Sequence, residues 1–407
     1  MTDTKAQTTP VVPAGATQGG EILKDTNNNW MEACVWTERM VSALVNGVKG
    51  GRWYSLMDKV FAPATLEAAW EKVWANDGAA GVDRQSIERF EAQEELYLKE
   101  LSTALRMVME PIFERDFATH SYGFRPNRGC KDALRRVQEL LNTGYVHIVD
   151  ADLKSYFDTI PKDRLKALIG RKVTDGRILA LITSFLEQGV LDGEEEWTPE
   201  QGTPQGAVVS PLLSNIYLDP LDHLMAVRGF EMVRYADDFV VMCRSEEDAA
   251  AALAVVQQWT AQAGLTLHPT KTRLVDEREH GFDFLGYHFE AGKRWPRAKS
   301  RTKLRDTIRA KTKRTSGHSM TQIIADVNRT LRGWFEYFKH SRAPTFRMED
   351  GFVRRRLRSI LRKRSHRKGS AKANGADQSR WTIAYFAELG LFSLQHAHAA
   401  AGQSSCR

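Results

Sequence analysis

Apolar residues at Ile324, Val327, Leu331, Trp334 and Phe338 recur at steps of three and four, so Thr321 to Lys339 predicts an amphipathic helix. Elsewhere the pattern is that of strands. Tyr145 to Leu153 is β-branched and aromatic and predicts a strand; Phe230 to Arg244 predicts a strand hairpin with two acids in its middle. Gly281 to Phe289 supplies more strand. Helices are predicted over Cys130 to Leu141, Lys162 to Gly189 and Pro211 to Met225. Ser245 followed by Glu246-Glu247-Asp248 fits a capping box and opens an Ala-rich helix that stops at Gly264. Trp30 to Arg106 is mostly helical around a turn-forming loop at Asn76 to Asp83. Leu105 to Phe117 is a further helix, which Pro111 breaks or bends. Asp192 to Glu200 is an acidic loop, and Gly202-Thr203-Pro204-Gln205-Gly206 suits no helix or strand interior. The order strand, helices, hairpin, helix, strand predicts an α+β fold with a small antiparallel sheet plus helices, without internal repeats.

Composition narrows the function. The 407 residues, 42% apolar and 27% charged, suffice for two or three domains with real cores. No run of eighteen apolar residues exists, which predicts no membrane span. Residues 1–29 are rich in Thr, Gly, Asn and Pro, which predicts a disordered leader and no signal peptide. Cys34, Cys130, Cys243 and Cys406 lie far apart, so neither a zinc knuckle nor a disulfide framework is expected, and a reducing, cytoplasmic location fits. The net charge of +7 is uneven. Ala291 to Ser370 holds 25 Lys and Arg against 5 Asp and Glu, a net of +20, which leaves −13 for the rest. Arg354-Arg355-Arg356 alone would fit a disordered basic tail, but the predicted helix at Thr321 to Lys339 makes this a folded basic module, the footprint of nucleic-acid binding.

The chemistry lies in acids embedded in apolar strands. Asp237 and Asp238 follow Val233-Arg234-Tyr235-Ala236 and precede Phe239-Val240-Val241-Met242. A buried carboxylate is costly unless a cation neutralises it. Neighbouring strand residues point to opposite faces, so both acids share a site only at a tight hairpin, here centred on Asp237-Asp238. Asp150 and Asp152 alternate and share a face. Three converging carboxylates would hold two Mg²⁺ ions roughly 3.5–4 Å apart for phosphoryl transfer to a hydroxyl. The alternative is that these are turn acids facing water.

Six motifs in order carry a resemblance. Tyr235-Ala236-Asp237-Asp238 resembles the YxDD box of reverse transcriptases, and Asp152-Leu153-Lys154-Ser155-Tyr156-Phe157-Asp158 the box of the first catalytic aspartate. Gly202 to Gly206 with Ser210-Pro211-Leu212-Leu213 is similar to the box beside the nucleotide and template. Ser121 to Pro126, Leu267 to Thr272 and Phe284 to Tyr287 resemble three further boxes. Leu331-Arg332-Gly333-Trp334-Phe335 with Tyr337-Phe338 resembles the maturase domain of group II intron-encoded reverse transcriptases.

The resemblance, covering about Trp30 to Leu394, implies a right-hand polymerase palm with an N-terminal helical and fingers region and a helical basic thumb. The expected organisation is a leader at 1–29, a helical and truncated fingers region at 30–119 and a fingers/palm domain at 120–290. A basic thumb/maturase domain at 291–370 and a C-terminal tail at 371–407 complete it. The implied activity is RNA-directed DNA polymerisation by a mobile intron's protein, which also assists splicing. Asp152, Asp237 and Asp238 would be catalytic and bind two Mg²⁺; on geometry alone Asp150 is a further ligand, but the family pattern selects Asp152. Phe157 would gate the sugar, unless it is an ordinary core residue. Gln205 and Gly206 would shape the nucleotide pocket, and Lys271 would approach phosphates, unless it is a solvated lysine. Phe284, Leu285 and Gly286 would form the primer grip. Arg305, Lys311, Lys313, Arg314, Arg354, Arg355, Arg356 and Arg358 would bind RNA. The implied partners are intron RNA template, DNA primer or target and dNTPs, with a homodimer left open.

Two departures qualify the expectation. Leu101 to Arg106 runs straight into Met107 to Pro111, where the family carries a fingers hairpin with basic groups for the triphosphate. That leaves an alternative: an RNA-binding splicing cofactor with weak or no polymerase activity. The Cys pairs and His-Asn-His pattern of the endonuclease domain are not seen, and His396 and His398 read as tail residues.

Overall fold

A computed structural model describes residues 30–75, 88–187, 190–192, 195–197, 202, 207–365 and 375–404. Among them are nine strands: β1 His147–Asp152, β2 Val190–Asp192, β3 Glu195–Trp197, β4 Glu231–Tyr235, β5 Asp238–Cys243, β6 Arg273–Asp276, β7 Phe282–Phe284, β8 Tyr287–Glu290 and β9 Lys293–Pro296. They form a four-stranded sheet of order β4-β5-β1-β6, a β2-β3 pair and a β7-β8-β9 meander. The fold is the expected α+β class with small antiparallel sheets. The chain divides into two units, Met1–Val137 with Ala151–Arg273, and Gln138–Asp150 with Leu274–Arg407.

In the first unit a 27-residue helix, Glu88–Glu114, runs unbroken through the junction where two helices are expected. Pro111 lies inside it and cannot donate to the carbonyl of Met107. The indole N–H of Trp36 donates to that carbonyl at 3.0 Å, so the buried acceptor is satisfied and the helix continues to Glu114. Leu105, Val108, Met109, Ile112 and Phe113 bury its inner face. The helix Ser210–Val227 is buried along most of its length and flanks β4. The expected acidic loop at Asp192 to Glu200 instead contains β3, paired antiparallel with β2. The capping box at Ser245 forms, with its Oγ accepting from the Asp248 N–H at 3.1 Å, and Gly264 ends that helix at φ +73°.

In the second unit the helices Ala298–Lys311, Met320–Phe338 and Ala343–Arg364 close around Ile308, Ile324, Val327, Leu331, Phe346, Val353 and Leu357. The C-terminal region is a correction to the expected tail. Gly375–Arg380, Ile383–Glu388 and Leu394–Ser404 are helices, and Trp381, Phe386 and Leu394 belong to the same core. Buried Asp350 caps the last of them, accepting from Leu394 N–H at 3.0 Å, Gln395 N–H at 3.1 Å and Ser393 Oγ at 2.8 Å. Asn328 clamps the preceding turn through Gly390 and Phe392. His398 lies over Phe346, ring centroids 4.6 Å apart.

Candidate active site

Strand pairing sets the site. Tyr235 pairs with Asp238 at the end of the β4-β5 ladder, so the two-residue turn is Ala236-Asp237, one position earlier than the hairpin centre expected. Ala236 takes φ +60°, a conformation an L residue adopts only under constraint. Asp237 therefore sits in the turn itself, and Asp238 opens β5. Both are half-buried.

The constraint comes from Arg234, which sequence reasoning passed over. Its guanidinium is fully buried. It donates to Asp222 on the helix Ser210–Val227 through Nε, at 2.8 Å, and through Nη2, and to Asn215 Oδ1 at 2.9 Å. Nη1 also donates to the Ala236 carbonyl at 2.9 Å. Burial works against its charge, but the Asp222 carboxylate more than offsets this and holds its pKa above the ordinary value. The turn is thus tied to the helix behind it. In the sequence Arg234 looks like the solvent-facing member of a strand; only its pairing with an acid twelve residues upstream reveals otherwise.

From the other side, the backbone of the loop His120 to Gly129 lies on the hairpin. Tyr122 N–H donates to Arg234 C=O at 2.8 Å, and Arg234 N–H to His120 C=O at 3.0 Å. A Cβ on Gly123 would come within 2.2 Å of the Ala236 nitrogen, so only glycine permits the approach. Asn215 Nδ2 donates to the Gly123 carbonyl at 2.8 Å.

Asp152 ends β1, whose burial alternates so that Asp150 and Asp152 share the half-buried face. Beyond it the chain stays paired: His268 N–H donates to Asp152 C=O at 2.7 Å and Lys154 N–H to Thr266 C=O at 2.8 Å. The turn at His268 to Lys271 then brings Lys271 Nζ to 2.7 Å from Asp152 Oδ2. The Asp237 carboxyl is pushed up chiefly by burial, with the charge of Asp152 adding to it, against its own backbone N–H and Arg234. The charge of Asp152 thus reaches Asp237, while Lys271 pairs with Asp152 itself. Such hard oxygen donors suit Mg²⁺. Among the described residues no three His, Cys, Asp or Glu side chains are already gathered as a metal cluster.

The other expected residues fall in several places. Phe157 is half-buried and edge-on to Tyr156, centroids 5.4 Å apart, while Tyr156 itself is buried and donates to Ser214 C=O at 2.9 Å. Gly202, at φ +97°, packs against the backbone of Phe157 and Asp158 at distances no Cβ would allow. Gln205 and Gly206 lie outside the described residues. Phe284, Leu285 and Gly286 belong to the second unit. Leu285 and Gly286 form the β7-β8 turn, both at positive φ, and Tyr337 Oη donates to Leu285 C=O at 2.8 Å.

The basic residues divide in two. Arg305 pairs with buried Glu349 at 2.8 Å and Arg356 donates to Thr312 Oγ1 at 3.0 Å and its carbonyl at 2.8 Å. Arg358 donates to Trp381 C=O at 2.9 Å, and Lys311 to Asp326 C=O at 3.1 Å. Lys313, Arg314 and Arg355 are exposed, and Arg354 is half-buried.

Residues 89–289 match the family described as reverse transcriptase (RNA-dependent DNA polymerase), and residues 301–381 match the group II intron, maturase-specific domain. The chain thus carries a reverse-transcriptase domain followed by a group II intron maturase-specific domain. It is 31% identical over 223 residues to Protein YkfC of Escherichia coli, covering 45% of this chain and 58% of that protein. It is 31% identical over 248 residues to an uncharacterized 91 kDa protein in the cob intron of Schizosaccharomyces pombe, 46% of this chain and 31% of that one. It is 40% identical over 124 residues to the group II intron-encoded protein LtrA of Lactococcus lactis subsp. cremoris, 30% of this chain and 20% of that one. The chain spans less than two thirds of each of these relatives. Among the described residues no helix is long and apolar enough to cross a membrane.

Proposed function

We propose that this protein is the RNA-directed DNA polymerase of a group II intron, which also binds intron RNA and assists its splicing. The observation that carries the reading is the pair Asp152 and Asp237. One acid ends a strand and is held by Lys271, the other stands on a constrained turn, and the charge of Asp152 adds to what raises the Asp237 carboxyl. Asp152 and Asp237, with Asp238 alongside, would hold two Mg²⁺ ions, whose chemistry is to lower the pKa of a primer 3′-hydroxyl and to neutralise the departing pyrophosphate.

The chain's own residues supply position. Arg234 and Gly123 fix the turn, so Asp237 need not reorganise when substrate arrives. Lys271, tethered at Asp152, is a cation within side-chain reach of any triphosphate bound there. The exposed cations Lys313, Arg314 and Arg355 supply sequence-independent contacts to RNA phosphates. dNTPs, a DNA primer and an intron RNA template are the substrates this arrangement suits, in a cytoplasmic setting.

Primer extension on an RNA template with Mg²⁺ tests the reading. The parent protein is expected to make cDNA and Asp237→Ala to make none. Absence of product from the parent, with intron-RNA binding intact, would replace this reading by that of a splicing cofactor. The unbroken helix Glu88–Glu114, running through the point where the family carries its fingers hairpin, is the observation that favours this second reading.

A further inference from the structure

Phe124 stands in a conformation that its residue type disfavours. Its φ is +56°, a region that bulky L residues avoid, and the residue is 46% exposed, so burial does not repay the strain. Its two neighbours explain how the backbone is held. Gly123 is pressed on the catalytic turn and its carbonyl is bound by Asn215. Arg125 is buried, paired with Glu114 at 2.8 Å and donating to the carbonyls of Ala118 and Ser121. Pinned on both sides, the chain must turn at Phe124. Nothing in that pinning calls for a large ring; glycine or asparagine would make the turn at lower cost. The ring lies 6.1 Å from that of Tyr235, inclined by 44°, and Tyr235 leads directly into Ala236-Asp237-Asp238. A rigidly presented, solvent-facing aromatic therefore flanks the catalytic hairpin.

We infer that Phe124 is a stacking platform for a nucleobase of the primer–template beside the reacting end. This rests on the polymerase reading of the same hairpin. An aromatic face takes any base, so the contact holds a strand without reading its sequence, as a polymerase needs. The strained backbone aims the ring in advance, so little freedom is lost when the base arrives.

The test uses the full chain with 2-aminopurine, a base whose fluorescence falls on stacking, placed at the primer 3′ end or at the template position opposite. One of the two labels is expected to be quenched on binding; which one assigns the strand. Phe124→Leu and Phe124→Gly should lose the quenching and raise the primer–template KM about tenfold, whereas Phe124→Tyr and Phe124→Trp keep both. The melting temperature of Phe124→Gly should equal or exceed the parent's, because glycine accepts positive φ freely. No quenching in the parent with either label, or unchanged quenching and KM in Phe124→Leu, overturns the inference. So does Phe124→Gly melting well below the parent, which would make the ring a packing residue. Binding needs no turnover, so the two claims separate. An extending parent with an indifferent Phe124→Leu sinks the platform alone; a parent that quenches but never extends sinks the polymerase reading alone.

Discussion

Asp237 is an acid held where its charge is disfavoured. Burial pushes its carboxyl up and Asp152 adds a like charge, while the turn that carries it needs Ala236 at positive φ. A residue kept against its own stability is expected to be functional. Asp237→Asn should therefore abolish primer extension and, at pH 7, leave the fold at least as stable as the parent. Thermal melting and extension on one preparation check both halves; a clear loss of stability would show that the carboxylate's own hydrogen bonds outweigh its burial. Gly123 gives the steric counterpart. Gly123→Ala places a methyl 2.2 Å from the Ala236 nitrogen, so the loop or the turn must move. Extension should fall at least about tenfold, since small displacements of catalytic groups cost that much; wild-type rates would mean that the loop backbone yields freely. The acids were visible in the sequence because a charge inside an apolar strand is a local anomaly, whereas Gly123 stood only inside a motif and its close approach to the turn appears in the fold. Arg234 was not visible, because its partner Asp222 comes from another element and the anomaly exists only once the two meet.

The hairpin and the helix behind it act as one piece through that pair. Arg234→Met leaves Asp222 buried without its cation and should cost about 3–5 kcal/mol, whereas adding Asp222→Leu in the same chain should recover most of it. Urea unfolding of the three variants measures the coupling; costs that simply add would show that the two residues act independently. Elements marked by their own caps and periods, such as Met320–Phe338 and the β4-β5 hairpin, were legible to within a residue or two. Those that depend on distant partners were not. Pro111 looks like a helix breaker until Trp36 satisfies the carbonyl it abandons. Residues 375–404 look like a tail because their helices are short and their anchors, Asp350 and Asn328, lie far upstream. Phe386→Ala should accordingly destabilise the second unit by about 3–5 kcal/mol, a cost no dispensable tail would show.

Over the whole molecule the charge is segregated, +20 on residues 291–370 against −13 elsewhere, and much of the positive charge is already engaged inside the fold. Arg305 neutralises Glu349, which is fully buried, and Arg356 donates to the carbonyl of Thr312, the residue that caps the helix Ala298–Lys311. Cations engaged in this way have little left for a polyanion, so the exposed Lys313, Arg314 and Arg355 should dominate RNA binding. Reversing these three together to Glu should leave the melting temperature unchanged. It should flatten the dependence of log affinity on log salt by about two, since each lost phosphate contact removes roughly 0.7 of slope on single strands. Arg305→Ala should do the opposite: the salt slope stays near the parent's while melting falls, because Glu349 is left underpaired in the core. Titrations at several salt concentrations, run beside thermal melts, separate the two groups of basic residues. If the triple reversal binds RNA with the parent's slope, the surface that meets the polyanion is formed by other residues, and net charge alone does not locate it.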